Sequence, residues 1–120
     1  MIRVLLVDDQ PAVLQGLRMR MALEADLNVV GVAGDGQQAI SVAKACEPDV
    51  VVMDVEMPIM DGIAATAKIH GLLPETAVIM LSIHDNPQLR NKAKSAGAAA
   101  YVEKSEGINA LLEEIRNCAG

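Results

Sequence analysis

Short runs of apolar residues alternate along this chain with segments in which apolar residues recur at helical spacing. The runs are rich in Val, Ile and Leu and are almost free of polar residues, which is typical of strands buried on both faces of a parallel sheet. They predict five strands, at residues 2–7, 27–33, 50–53, 77–81 and 99–102.

The segments between the runs predict five helices. Apolar spacing, together with Pro near helix starts and Gly near helix ends, places them at residues 10–24, 35–47, 63–72, 86–96 and 107–118. In the first helix the inward stripe is predicted to be Leu14, Leu17, Met21 and Leu23. Strict alternation of strands and helices implies right-handed crossovers, and therefore a parallel sheet covered by helices on both faces. We predict the α/β class, with a doubly wound five-stranded sheet of order 2-1-3-4-5.

Polar residues follow four of the five strands directly or almost directly. Asp8 and Asp9 follow the first strand, Asp54 the third, Ser82 the fourth and Lys104 the fifth. Because the carboxyl ends of parallel strands lie at one edge, these side chains are expected to converge there. Three clustered carboxylates repel one another, so the site requires a cation or an altered protonation state.

The chemistry of these residue types points to phosphoryl transfer. A carboxylate at a strand end, here Asp54, can attack phosphorus and hold the phosphoryl group as an acyl phosphate. Asp8 and Asp9, with Asp54, suit Mg²⁺, which favours a few carboxylates and a phosphoryl oxygen. Ser82 and Lys104 can contact the remaining phosphoryl oxygens. Each residue alone is equally typical of a turn, a helix cap or a solvated surface.

Composition limits the other functions of the chain. A length of 120 residues predicts one domain over residues 1–120, and an apolar content of 52% with Tyr101 as the only aromatic residue predicts an aliphatic core. The net charge of −6 argues against nucleic-acid contact by this domain itself. Cys46 and Cys118 show no metal-ligand spacing, and neither a signal peptide nor a membrane span is visible, so we expect a cytoplasmic chain without membrane contact.

Four motifs together resemble one protein family over essentially the whole chain. They are V-L-L-V-D-D at residues 4–9, V-V-M-D-V-E-M-P-I-M-D-G at 51–62, M-L-S at 80–82 and A-A-A-Y-V-E-K at 98–104. The pattern is similar to the receiver domain of two-component response regulators, which have the CheY-like fold. The resemblance implies that a histidine kinase phosphorylates Asp54 and that phosphorylation leads to homodimerisation or release of an attached domain.

The resemblance also implies roles for the other site residues. Asp8 and Asp9 would form the acidic pocket, with Asp9 a direct Mg²⁺ ligand and the backbone carbonyl of Glu56 a further one. Ser82 would be the switch hydroxyl and Lys104 the phosphate-pairing amine. Tyr101, three residues before Lys104, would be the switch aromatic that changes rotamer.

One departure from the family pattern indicates which group within the family the chain resembles most. Many receivers have Pro after the lysine, whereas Ser105 follows Lys104 here. Together with G-V-A-G-D-G-Q-Q-A-I at residues 31–40, this is more similar to the NarL/FixJ group, whose members usually append a LuxR-type helix-turn-helix domain. Control of transcription is therefore an expectation about an output domain outside these 120 residues.

Two residues near the site are candidates for tuning the phosphoryl lifetime. Glu56 lies two residues after Asp54, and His84 lies two residues after Ser82. Either side chain can order or block the water that hydrolyses an acyl phosphate. A surface loop role for His84 is an equal alternative.

Three other functions remain open from the residues alone. Asp54-Val55-Glu56 resembles the nucleophile motif of haloacid-dehalogenase-like phosphatases, although those place it after the first strand of a longer chain. A receiver-like interaction module that is never phosphorylated would keep the same residues. A flavodoxin-like nucleotide binder is poorly supported, because the sequence has no Trp, no Phe and no Ser/Thr/Gly-rich phosphate loop.

Overall fold

Five parallel strands form one sheet at the centre of the molecule. A computed structural model describes residues 1–57, 60–84 and 86–119, so Pro58 of the longest motif lies outside the described residues. The strands are β1 (Ile2–Val7), β2 (Leu27–Ala33), β3 (Val50–Asp54), β4 (Ala77–Ser82) and β5 (Ala100–Glu103). Their order is β2-β1-β3-β4-β5 with every neighbouring pair parallel, which confirms the predicted topology.

Helices follow the strands in strict alternation. Those in the described part of the chain are α1 (Pro11–Met21), α2 (Gly36–Cys46), α3 (Gly62–Leu72), α4 (Pro87–Ser95) and α5 (Ile108–Ala119). A short 3₁₀ turn, Lys104–Glu106, which the sequence did not predict, joins β5 to α5. None of the described helices is both long and apolar enough to cross a membrane.

Side-chain caps begin three of the helices close to the ends of strands. The carboxylates of Asp35 and Asp61 each accept a hydrogen bond of 2.8 Å from a backbone N–H in the first turn of α2 and α3. Asn86 does the same for α4 at 2.9 Å. Such caps satisfy backbone donors that the helix itself leaves unpaired. They hold the helix starts, and therefore the loops at the carboxyl edge, in one place.

The sheet separates two apolar layers. On one face, strand residues including Leu5 and Val7 pack against α2, α3 and α4; we call this the α2–α4 layer. On the other face, residues including Val4 and Leu6 pack against α1 and α5, which form the α1/α5 layer. Adjacent strand residues thus point to opposite layers, which explains why the strand sequences are apolar without alternation.

The end of α1 differs from the prediction. The helix ends at Met21, which is buried, whereas the apolar spacing suggested a helix to residue 24. Leu23 lies in the turn that follows and is 77% exposed, so its place in the inward stripe was wrong. The peptide bond between Lys104 and Ser105 is trans, as expected for a bond that precedes a residue other than Pro.

Gly62 allows α3 to begin directly against the end of β3. A Cβ atom at Gly62 would overlap the backbone carbonyl oxygen of Asp54 and would also approach the Met80 side chain. The Gly62 N–H donates to the carbonyl of Val55 at 3.0 Å, which fixes the same approach. The contact holds the backbone of Asp54 against the start of α3.

We predict that Gly62→Ala lowers the free energy of unfolding by about 1–3 kcal/mol, because the added methyl group must displace either α3 or the end of β3. Gly71→Ala in the same helix is the control, because nothing lies within 4 Å of a Cβ there. It should be neutral or stabilising by up to about 1 kcal/mol. Urea unfolding of the three proteins measures both effects, and an equal change in the two variants would contradict the steric explanation.

Candidate functional site

Three carboxylates meet at the carboxyl edge of the sheet. In the parallel register Val7 of β1 pairs with Met53 of β3, so Asp8, which follows β1, and Asp54, the last residue of β3, lie side by side. Carboxylate oxygens of Asp8, Asp9 and Asp54 all lie within 4.8 Å of one another. The convergence expected from the strand ends is therefore present in the structure.

Asp8 is buried with one of its oxygens unsatisfied. It is only 2% exposed, and its Oδ1 accepts a 2.9 Å hydrogen bond from the backbone N–H of Gln10. Its Oδ2 has no hydrogen-bond partner among the described residues, although Lys104 Nζ lies 3.6 Å away. A buried acceptor without a donor is costly, and a cation at this point would remove that cost.

Asp54 is buried beside Asp8 and is only weakly compensated. Its Oδ1 lies 3.3 Å from the backbone N–H of Glu56 and 4.0 Å from Lys104 Nζ. Burial, followed by the negative charge of Asp8, raises the pKa of Asp54 from 3.8 to about 6. Lys104 and the Glu56 N–H act in the opposite direction but do not offset the increase. Asp54 is therefore ionised at neutral pH but can be protonated in mild acid.

An open cavity of about 230 Å³ lies above Asp54. It is lined by Asp9, Gln10, Asp54, Glu56, Ser82, Ile83 and Lys104. Because one water molecule takes up roughly 30 Å³, the cavity has room for a phosphoryl group and several waters. A larger groove of about 580 Å³ lies between α2 and α3, but Lys68 is the only titratable side chain among the described residues that line it. The chemistry favours the smaller cavity.

Glu56, which lines this cavity, lies in direct contact with the imidazole of His84. His84 Nε2 lies 2.6 Å from Glu56 Oε1, and each side chain is about half exposed. The backbone N–H of His84 also donates to Ser82 Oγ at 3.0 Å. The two residues that sequence spacing suggested as rate-tuning candidates are thus in direct contact with each other.

Tyr101 reaches the same loop from β5. Its hydroxyl donates a 3.0 Å hydrogen bond to the backbone carbonyl of His84. Ser82 and Tyr101, the two predicted switch residues, are therefore both bonded to the backbone of one loop residue.

Sequence analysis missed three residues at or near the site. Gln10 and Ile83 line the cavity, and each directly follows a predicted site residue, so their adjacency was the available signal. Arg90 of α4 contacts Tyr101, with its guanidinium carbon 4.6 Å from the ring centroid. No motif or apolar spacing marks Arg90 in the sequence.

Comparisons with known proteins agree with this arrangement. Residues 4–116 match the family described as "Response regulator receiver domain". The uncharacterised transcriptional regulatory protein YxjL of Bacillus subtilis is 40% identical over 118 residues, which cover 98% of this chain and 54% of YxjL. The chain spans about half the length of the curated relatives it matches.

Solved structures give the same result. The signal receiver domain of the response regulator NarL from Mycobacterium tuberculosis superposes with a TM-score of 0.92 at 35% identity, covering 98% of this chain and 95% of that one. A CheX-CheY-BeF3-Mg+2 complex from Borrelia burgdorferi gives a TM-score of 0.86 at 28% identity, covering 96% and 86%.

The raised pKa of Asp54 predicts how stability depends on pH when Mg²⁺ is chelated. The folded protein holds a proton on Asp54 up to about pH 6, whereas the unfolded chain releases it near its ordinary pKa of 3.8. The contribution of Asp54 to the free energy of unfolding therefore falls as the pH rises from about 4 to above 6. Asp54→Asn should be more stable than wild type by about 1–3 kcal/mol near pH 8, with little difference near pH 4.

Urea unfolding in a chelating buffer at several pH values measures this difference. Asp26→Asn is the opposite control, because the hydrogen bonds donated by Arg116 hold the pKa of Asp26 below its ordinary value. That variant should be less stable than wild type at neutral pH. A constant difference between Asp54→Asn and wild type at all pH values would contradict the assignment of the raised pKa to Asp54.

Proposed function

The chain belongs to the response regulator receiver domain family, and from this premise we propose that Asp54 accepts a phosphoryl group from a partner histidine kinase and thereby changes which partners the domain binds. The single observation that carries the proposal is the convergence of three carboxylates and Lys104 at one edge of the sheet. Receiver domains are signal transducers rather than enzymes, so the phosphatase alternative is set aside.

The proposed reaction is an in-line transfer to Asp54. A carboxylate oxygen of Asp54 attacks phosphorus, and the bond between phosphorus and the histidine nitrogen of the kinase breaks, with its electron pair returning to the imidazole. The pKa of about 6 leaves most of Asp54 ionised at neutral pH, as a nucleophile must be. The adjacent cavity gives the phosphoryl group space to enter.

Asp8, Asp9 and Asp54 would hold Mg²⁺, with the backbone carbonyl of Glu56 as a further ligand. The clustered carboxylate oxygens fit a hard divalent cation, and so does Oδ2 of Asp8, which has no hydrogen-bond partner in the described part of the chain. The CheX-CheY-BeF3-Mg+2 complex of Borrelia burgdorferi, a structural relative, includes Mg²⁺. When bound, the ion neutralises negative charge that develops on the transferred group.

Ser82 and Lys104 would bind the phosphoryl oxygens. Lys104 Nζ lies 3.6 Å from Asp8 and 4.0 Å from Asp54, beyond hydrogen-bond distance of both, so it is free to approach a new anion between them. Ser82 Oγ accepts from the His84 N–H, which leaves its own proton available to a phosphoryl oxygen.

Movement of Ser82 would be transmitted to Tyr101 through the loop that both contact. If Ser82 turns toward the phosphoryl group, the hydrogen bond from the His84 N–H to Ser82 Oγ breaks. The backbone of His84 can then move, and its carbonyl is the acceptor of the hydrogen bond from the Tyr101 hydroxyl. A tenfold change in the ratio of two conformations requires only about 1.4 kcal/mol. One charge-assisted hydrogen bond can supply that difference.

The output of the domain is proposed from its relatives. Several are transcriptional regulatory proteins by name, and this chain spans about half their length. We infer that the receiver controls a DNA-binding domain in the cytoplasm and forms a homodimer on phosphorylation. At a net charge of −6, the receiver itself is not expected to contact nucleic acid.

Incubation with acetyl phosphate should add one phosphoryl group to the wild-type domain, a gain of about 80 Da by intact mass, provided that Mg²⁺ is present. Asp54→Asn should show no gain. Glu75→Gln is the matched control, because Glu75 is an exposed carboxylate just before β4, away from the site, and this variant should be phosphorylated like wild type. If wild type gains no mass, the protein is the unphosphorylated interaction module instead.

Glu56→Ala and His84→Ala should each change the half-life of the phosphorylated protein more than about twofold, with a smaller effect on Mg²⁺ affinity. Their side chains lie 2.6 Å apart, and Glu56 lines the cavity that the hydrolytic water must enter. Because the two side chains are in contact, the double variant should not show the product of the single effects. Unchanged half-lives in both single variants would exclude a rate-tuning role.

A further inference from the structure

Arg90 extends from α4 across the surface of β5 and makes three contacts with that strand. Its guanidinium carbon lies 4.6 Å from the centroid of the Tyr101 ring, and Nη1 donates to the Tyr101 carbonyl at 3.5 Å. Nη2 donates to Glu103 Oε1 at 3.0 Å. The side chain is 39% exposed, so the guanidinium is partly desolvated where it meets the ring.

Glu103 links Arg90 to the turn that carries Lys104. The side chains of Glu103 and Glu106 cap this 3₁₀ turn reciprocally, and the Glu103 N–H donates to Glu106 Oε2 at 2.8 Å. Glu103 is also the residue of β5 that pairs with Ser82 of β4. Arg90 is therefore bonded to the residue that directly precedes Lys104 and that pairs with Ser82.

Tyr101 is held at two points. Arg90 covers the ring on one side, and the hydroxyl donates to the His84 carbonyl at 3.0 Å. A change of the Tyr101 rotamer must therefore break a cation–π contact as well as a hydrogen bond. The two constraints come from different elements, α4 and the loop after β4.

We propose that Arg90 is a positioning residue that clamps Tyr101 in its present rotamer, with Glu103 orienting the guanidinium. This rests on the proposed role of Tyr101 as the switch aromatic. Arg90 sets the fraction of unphosphorylated molecules in which Tyr101 keeps this rotamer. Phosphorylation of Asp54 must supply enough free energy to break the contacts between Arg90 and Tyr101. A cation–π contact at a partly exposed site, together with the ion pair to Glu103, corresponds to a change of about three- to tenfold in the rotamer ratio.

The composition of the chain supplies a direct probe. Tyr101 is the only aromatic residue, with no Trp and no Phe, and both cysteines are free, so the near-ultraviolet circular dichroism reports on Tyr101 alone. A fixed ring gives a signal there and a mobile ring loses it. Far-ultraviolet spectra of the same samples show whether each variant is folded.

Arg90→Met should lose more than about half of the near-ultraviolet signal of the unphosphorylated protein, while Glu103→Gln should lose a smaller part. Lys94→Met is the matched control on the same helix, because Lys94 is exposed, and it should keep the wild-type signal. Arg90→Lys retains the charge without the planar group and should lie between Arg90→Met and wild type. If Arg90→Met does not fold, Arg90→Lys tests the clamp in its place. A near-ultraviolet signal below that of wild type supports the clamp, and a wild-type signal contradicts it.

Two results would overturn the clamp: a wild-type signal in Arg90→Met, or an equal loss in Arg90→Met and Lys94→Met.

Acetyl phosphate with Mg²⁺ then separates the clamp from the proposed function. If the spectrum of wild type does not respond while that of resting Arg90→Met is diminished, the switch role fails and the clamp stands. If wild type responds and Arg90→Met responds by the same amount from the same starting signal, the clamp fails and the switch role stands.

Discussion

Incompletely compensated negative charge at the carboxyl edge of the sheet is the dominant electrostatic constraint on this structure. Asp8 and Asp54 are 2% and 7% exposed, and the nearest cation, Lys104, lies at 3.6 Å and 4.0 Å, too far to form a hydrogen bond with either. Buried charges without full pairing are costly, so the site favours uptake of a proton, a divalent cation or both. The close approach of Gly62 to the backbone of Asp54 holds one of these carboxylates against the start of α3.

The loop after β4 joins this charged site to the surface of the molecule. Its residue His84 bonds through its N–H to Ser82, through its carbonyl to Tyr101 and through its imidazole to Glu56. A small movement at the cavity can therefore reach an exposed face without rearrangement of the sheet. Packed elements of this kind tend to have discrete alternatives, which suits a two-state response.

The fold and most of the site were predictable because two simple rules apply. Buried parallel strands such as β3 are continuous apolar runs, and their carboxyl ends share one edge, so Asp54 and Lys104 could be placed together without coordinates. The end of α1 could not be placed, because Leu23 continues the apolar spacing into a turn. The contact of Arg90 with Tyr101 could not be predicted for a different reason. It depends on how α4 packs against β5, and no local sequence pattern indicates that packing.

The division of the core by the sheet has an evolutionary consequence. Side chains of the α1/α5 layer and of the α2–α4 layer are separated by the backbone of the strands, so a change of volume on one side can be compensated only on that side. Substitutions that accumulate in related sequences should therefore covary in two groups, with Leu5 and Val7 in one and Val4 and Leu6 in the other. Adjacent residues of one strand would thus belong to different groups of covarying positions.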